Sequence, residues 1–323
     1  MNGMRRALFQ IILLLVSSVV CFGLAEAGLR LKNSSMKNYD IEMWRYAKEL
    51  KTPSDDPVLG HEHLKSRSAT LQAVPIRLNE WGLRGEPVRP PAPGRRRILV
   101  LGSSITLGWG VAEDDTMTAR LQKMFKADGQ DVEVLNAGIG NYNAVRCVEL
   151  FLTRLKDLQP TDIVLHYFVN GAEVLEPGGG NVLLRNSEVA VTLWQVANRM
   201  FGESGEGSLD DHYRALYAPG SKGRTEMEAA VKRLADYAHE HNIPLFMAMT
   251  PDVHNLEDYH FQYIHELMGQ LARQYGYTYV DFLPAFRGLR PSDIFAMPGD
   301  PHPNALGHLK MAEALYPVLA GKS

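Results

Sequence analysis

At 323 residues, with 45% hydrophobic and 22% charged side chains, the chain is long enough to bury a large core and has the composition of an ordinary globular protein. Its 34 basic and 37 acidic side chains leave a formal charge of -3 with no long run of one sign, which excludes the basic footprint that nucleic-acid binding requires. Only Cys21 and Cys147 are present, so a disulfide framework and a cysteine-ligated metal site are excluded as well.

The first predicted element is a helix. After Arg5 and Arg6 comes an uncharged run over residues 7–25, which as a helix spans roughly 28 Å, close to the hydrocarbon thickness of a bilayer. The two arginines would stay in the cytoplasm, placing everything after Glu26 on the far side of the membrane. Ala25-Glu26-Ala27 also fits a small-x-small signal-peptide cleavage site, but the apolar run exceeds a usual signal core. Residues 1–27 are therefore read as a membrane anchor or signal peptide. The expected location is the cell envelope: anchored in the inner membrane and facing the periplasm, or secreted if the segment is cleaved. Hydrolysis and acyl transfer suit that side of the membrane better than chemistry driven by ATP or nicotinamide, and no cofactor is expected.

Residues 28–95 form an approach segment, with a charged helical stretch at 41–50, a Pro/Asp turn at 53–57 and a strand-like run at 74–79. Pro87, Pro90, Pro91 and Pro93 close it. A compact domain is expected over 96–323, where short apolar runs at 98–101, 132–135, 163–168, 245–249 and 277–282 alternate with helical patterns. The helices fall at 116–125, 144–158, 189–201, 227–239, 261–275 and 305–319. Such alternation predicts parallel strands with helices on both faces, and ligands then sit at the carboxyl ends of the strands.

Those ends carry the polar residues. Gly102-Ser103-Ser104 closes the first strand; a glycine there lets a serine project beside the free N–H groups of a helix start. The alternative is a simple helix cap, and a phosphate loop lacks the lysine it requires. Residues 136–141 close the second strand and either present backbone N–H groups or form a flexible turn. Asn170, before Gly171, closes the third; its side-chain amide can donate to a developing oxyanion, or can serve only the turn. Asp300-Pro301-His302 precedes the last helix and supplies a general base with a carboxylate to orient it.

Taken together, these segments resemble the SGNH/GDSL-type hydrolases from about residue 98 to the C-terminus. Leu99-Val100-Leu101-Gly102-Ser103-Ser104 is similar to the family's first block, residues 136–143 to the second, Asn170 to the third, and Asp300 with His302 to the last. The resemblance implies a three-layer α/β/α sandwich, flavodoxin-like, with a mainly parallel five-stranded sheet. It implies Ser104 as nucleophile, His302 as base and Asp300 as its orienting carboxylate. The oxyanion hole would comprise the Ser104 N–H, the Gly140 or Asn141 N–H and the Asn170 side chain. Residues 77–85 also resemble the lead-in of envelope-anchored members associated with polysaccharide modification. Three departures stand out. Ser103 replaces the usual aspartate, the second-block glycine aligns with either Asn141 or Gly140, and Asp300 lies two rather than three residues before His302. The shorter Asp-x-His spacing is similar to that of alginate O-acetyltransferase relatives.

Among the 11 histidines, His61/His63 and His239/His241 are spaced by two and His-Glu-x-x-His is absent, so no metal site is expected and most are read as surface residues. His308 is expected to pack or bond locally. Trp109 is either a core aromatic or a sugar-stacking wall. The tracts at 178–180 and 202–207 read as loops flanking a helical insertion. The expected function is a serine esterase or O-acyltransferase acting on acylated carbohydrate, with the membrane and the envelope polysaccharide machinery as partners. The alternative is a catalytically blunted carbohydrate-binding or scaffold component of such an assembly.

Overall fold

The computed structural model describes residues 2–33, 39–175, 186–201, 209–297 and 302–321. They fall into two compact units. The smaller holds the N-terminal helix Asn2–Asn33 and the helix Glu188–Phe201; the larger holds the remainder from Glu49 onward. Residues from Glu49 to Arg95 thus pack with the domain expected to begin at residue 96.

Within the smaller unit, the N-terminal helix is long and apolar enough to cross a membrane, alone in this among the described residues, and its side chains from Leu8 to Leu24 are mostly exposed. Glu26, just past the apolar run, fastens the second helix to it. Its carboxylate accepts from the Ser187 hydroxyl at 2.9 Å and from the Glu188 and Val189 N–H groups at 3.0 and 3.1 Å. These are donors that a helix start cannot satisfy by itself. Asn33 Nδ2 adds a bond to the Glu188 carboxylate at 2.7 Å.

The larger unit contains two antiparallel ribbons, β1 (Lys51–Pro53) with β2 (His61–His63) and β3 (Arg67–Leu71) with β4 (Val74–Leu78). They precede a five-stranded parallel sheet of β5 (Arg96–Gly102), β6 (Val132–Gly138), β7 (Asp162–Phe168), β8 (Leu245–Thr250) and β9 (Thr278–Asp281). The strand order is β6-β5-β7-β8-β9. Central strands β5, β7 and β8 are buried on both faces, which is why they read as unbroken apolar runs. Alternate side chains divide between two cores. Leu99, Leu101, Ile163, Leu165, Met247 and Met249 enter one, closed by the helices Ala144–Leu150, Lys222–Glu240 and Gln262–Tyr275. Ile98, Val100, Val164, Phe246 and Ala248 enter the other, closed by Met117–Ala127 and Ala305–Leu319. This is the expected three-layer α/β/α sandwich.

The helix expected over 144–158 differs in detail: it is α-helical to Leu150, widens to a π turn at Phe151–Leu155 and tightens over Lys156–Leu158. From β5 the chain passes to β6 on one side and then returns to β7 on the other. The strand order therefore reverses around β5, and the crevice at such a switch point is where open α/β sheets bind ligands.

Candidate active site

Ser104 and His302 meet at that switch point. Ser104 opens the short helix Ser104–Leu107 directly after β5, and His302 Nε2 lies 2.7 Å from its Oγ. The turn into Ser104 needs Gly102: a Cβ there would lie 1.9 Å from Thr106 Oγ1 and 3.0 Å from the His166 carbonyl. Ser103 occupies the N-cap position but its side chain makes no capping hydrogen bond. Arg84, from the lead-in segment, donates from Nη1 to the Leu107 and Gly108 carbonyls and from Nη2 to that of Val111, each at 2.7 Å. Asn136 Nδ2 donates to the Thr106 carbonyl at 2.8 Å. Carbonyls at the end of the short helix, which have no intrahelical donors, are satisfied in this way.

His302 is held from both sides. Its carbonyl accepts from the Ala296 N–H at 2.8 Å, and Phe295 bridges Pro303. Two residues on, Asn304 caps the helix Ala305–Leu319 through the Leu306 and Gly307 N–H groups. Asp300 lies outside the described residues, as do the tracts at 178–180 and 202–207.

The second and third strand ends converge on the same edge. Gly102 pairs with Gly138, and the Ile139 N–H donates to the Gly102 carbonyl at 3.1 Å. Gly140 and Asn141 follow, and Asn141 adopts φ of 64°, the left-handed region open chiefly to glycine and asparagine. Of the two residues that can align with the family glycine, Asn141 is the one in a glycine-like conformation that is not itself glycine. Asn170, half-buried in the turn after β7, lines a small crevice together with Ser103, Tyr142, Asn143 and His166. The Ala144 N–H donates to the Gly171 carbonyl at 2.9 Å and joins the two turns.

Beside the turn that carries Ser104, His166 Nδ1 and Nε2 lie 2.8 and 2.5 Å from the hydroxyls of Thr106 and Thr250. Burial lowers the His166 pKa to about 3 and keeps the ring neutral. His212, His239, His241, His254 and His260 are exposed and His61 is half-buried, but His63, His166, His265, His302 and His308 are buried. His166 sits inside the apolar strand β7. His308 is packed in the interior, and its Nδ1 accepts from the Met117 N–H at 2.9 Å, far away in sequence. Trp109 is 1% exposed, a core aromatic rather than a sugar-stacking wall. Among the described residues, no His/Cys/Asp/Glu group could hold a metal ion.

Sequence reasoning assigned no role to Arg84, Lys51 or His61, nor to a second Asp-x-His after β8. There Asp252 Oδ1 lies 2.9 Å from His254 Nδ1, and the His254 ring centroid is 5.8 Å from that of Phe295. Its strand-end position was the available signal. A groove of about 680 Å³, lined by residues such as Asn79, Glu86, Gln122 and Glu133, contains neither Ser104, His302 nor Asn170. The Ser104–His302 pair lies elsewhere.

Residues 100–310 match the model of the GDSL-like Lipase/Acylhydrolase family. No curated protein sequence matches the chain. Among solved structures, TesA is 17% identical, with a TM-score of 0.48 over 71% of this chain and 100% of its own. A two-domain esterase (CEX) active on acetylated mannans is also 17% identical, with a TM-score of 0.45 over 71% of this chain and 50% of its own. A variant of Axe2, an acetyl-xylooligosaccharide esterase from Geobacillus Stearmophilus, is 15% identical, with a TM-score of 0.46 over 68% of this chain and 92% of its own.

Proposed function

The chain belongs to the GDSL-like lipase/acylhydrolase family, whose members cleave ester bonds, and on that premise we propose that it is a serine esterase or O-acyltransferase acting on acetyl esters of carbohydrate outside the cytoplasmic membrane. The observation that carries this reading is the 2.7 Å contact between Ser104 Oγ and His302 Nε2. As Oγ bonds to the acyl carbon, His302 takes the hydroxyl proton and returns it to the departing alcohol oxygen. Water then releases the acyl group from Ser104, or a sugar hydroxyl accepts it. Asp300 orients His302, and the Ser104 N–H, the Gly140 or Asn141 N–H and the Asn170 amide hold the oxyanion.

A serine-reactive fluorophosphonate tests the reading. Wild type should be labelled and should release acetate from an aryl acetate, whereas folded Ser104→Ala should do neither; labelling of both would remove Ser104 as nucleophile. Release of acetate from acetylated polysaccharide tests the substrate class, and a sugar acceptor that raises turnover favours transfer. The scaffold alternative drew on Ser103 and the irregular second block. The glycine-like conformation of Asn141 and the intact Ser104 contact favour catalysis instead.

The location rests on the N-terminal helix. The Glu26 clasp supports a retained anchor, because cleavage after Ala27 would remove the acceptor that satisfies Ser187, Glu188 and Val189. A reporter active only outside the cytoplasm, fused after Ser323, should be active and should lose activity when residues 7–25 are deleted. A cytoplasmic report from the full chain would remove the envelope reading.

A further inference from the structure

The segment after β6 bears two cations and an imidazole that esterase chemistry does not itself require. Lys51 Nζ donates to the Gly140 carbonyl at 2.6 Å, and His61 Nε2 lies 3.1 Å from the same oxygen. A carbonyl only accepts, so the His61 proton is on Nε2. Arg146 Nη1 donates to the next carbonyl, that of Asn141, at 3.3 Å. Both groups on Gly140 are brought by the β1/β2 ribbon, in which Lys51 pairs with His63 and Pro53 with His61. This ribbon lies outside the residues 100–310 that match the family model.

The Gly140–Asn141 peptide is trans, as no cis bond occurs among the described residues. In a trans peptide the C=O and the following N–H point in opposite directions. An oxygen gripped from the ribbon side therefore turns the Asn141 N–H away from the ribbon. Hydrogen bonding at the oxygen also polarises the amide and strengthens its N–H as a donor. Resting on the esterase reading above, we propose that Lys51 and His61 are positioning residues that fix the Asn141 N–H, rather than the Gly140 N–H, as the second-block oxyanion donor.

Burial strengthens the Lys51 contact with Gly140. It is only 9% exposed, and taking an ammonium out of water is costly unless a specific acceptor meets it. An apolar side chain would fill the space with less penalty. Desolvation, with the Arg146 charge nearby, lowers its pKa to about 7. The neighbouring His61 and His63 are held neutral by burial, at about 3. The amine is thus the group that places charge on the Gly140 carbonyl near neutral pH.

The test uses the full-length protein in detergent, with Lys51→Met, His61→Leu and His61→Gln variants. For Lys51→Met, kcat on an aryl acetate should fall about 10–100-fold, less than deletion of an oxyanion donor itself, with KM little changed. Fluorophosphonate labelling, which also builds negative charge on an oxygen, should slow by the same factor, while thermal unfolding stays at or above the wild-type temperature. His61→Leu should lower kcat several-fold, and His61→Gln, which keeps a donor, should restore most of it. A folded Lys51→Met with unchanged kcat overturns the proposal. So does a loss shared between kcat and KM that tracks a lowered unfolding temperature. If Lys51→Met does not fold, the His61 pair decides: a kcat loss rescued by Gln supports the proposal, and none overturns it. Wild type without Ser104-dependent turnover would sink the esterase reading and this inference together, whereas an active wild type with indifferent variants sinks only the latter.

Discussion

Substitution of Asn141 separates backbone from side-chain chemistry. The residue sits at φ of 64° with an exposed side chain, and its proposed contribution is a main-chain N–H. Asn141→Gly keeps that N–H and removes the conformational penalty, so kcat/KM on an aryl acetate should stay within about threefold of wild type. Asn141→Ala keeps the N–H but exposes a side chain with no local polar compensation to a region costing about 1–2 kcal/mol. If the strain stays in place, the cost appears as a fall of about 2–4 °C in the unfolding temperature, by the usual scaling for a domain of this size. If the peptide rotates to escape it, the N–H leaves the oxyanion and the rate falls about tenfold for each 1.36 kcal/mol of stabilisation lost. Asn141→Val, β-branched, should be worse in both respects. Steady-state kinetics and thermal unfolding on the same preparations give the ranking Gly and Asn first, then Ala, then Val. A loss of about a hundredfold in Asn141→Gly would transfer the role to the side chain and refute the reasoning.

Asn170→Ala should lower turnover by about a hundredfold to a thousandfold through loss of one oxyanion donor, and an unchanged rate would mean the oxyanion is held elsewhere. Gly102→Ala should destabilise by about 1–3 kcal/mol or more and impair activity, because the new Cβ collides with Thr106; an unaltered unfolding curve would contradict the close approach. His63, His166 and His308 are lowered from 6.5 to about 3 by burial. Below pH 6.5 the unfolded chain binds protons that the folded chain refuses, so stability is full above that pH and is lost progressively toward pH 3. Urea unfolding at pH 7 and pH 5 should register the fall, and equal stability at the two would mean these rings are not buried neutral.

Much of this organisation is legible in sequence because local and tertiary demands coincide. β5, β7 and β8 read as apolar runs since both faces are covered, and the helix Ala305–Leu319 lies where expected, with Asn304 as its cap. Ser104, Asn170 and His302 were singled out as candidates from their places at strand ends and before a helix. Lys51 and His61 were not, because three-residue strands carry no periodicity and their partner, Gly140, is 89 and 79 positions away. Arg84 falls within the lead-in at residues 77–85, and its grip on three carbonyls depends on where the chain turns after Leu107. His166 was hidden for the opposite reason, a polar residue inside a run whose neighbours all call for burial.

The pairing of Ser104 with His302 spans 198 positions, and the residues that deliver the imidazole are anchored by a helix whose Met311, Ala312 and Leu315 complete the second core. Closing so long a loop has an entropic cost that is recovered only when that helix docks. During refolding, the proposed nucleophile therefore stays without its base while the first strands pair. Ester turnover then measures arrival of the C-terminal helix, a late clock that secondary-structure signals, set by the earlier elements, would run ahead of.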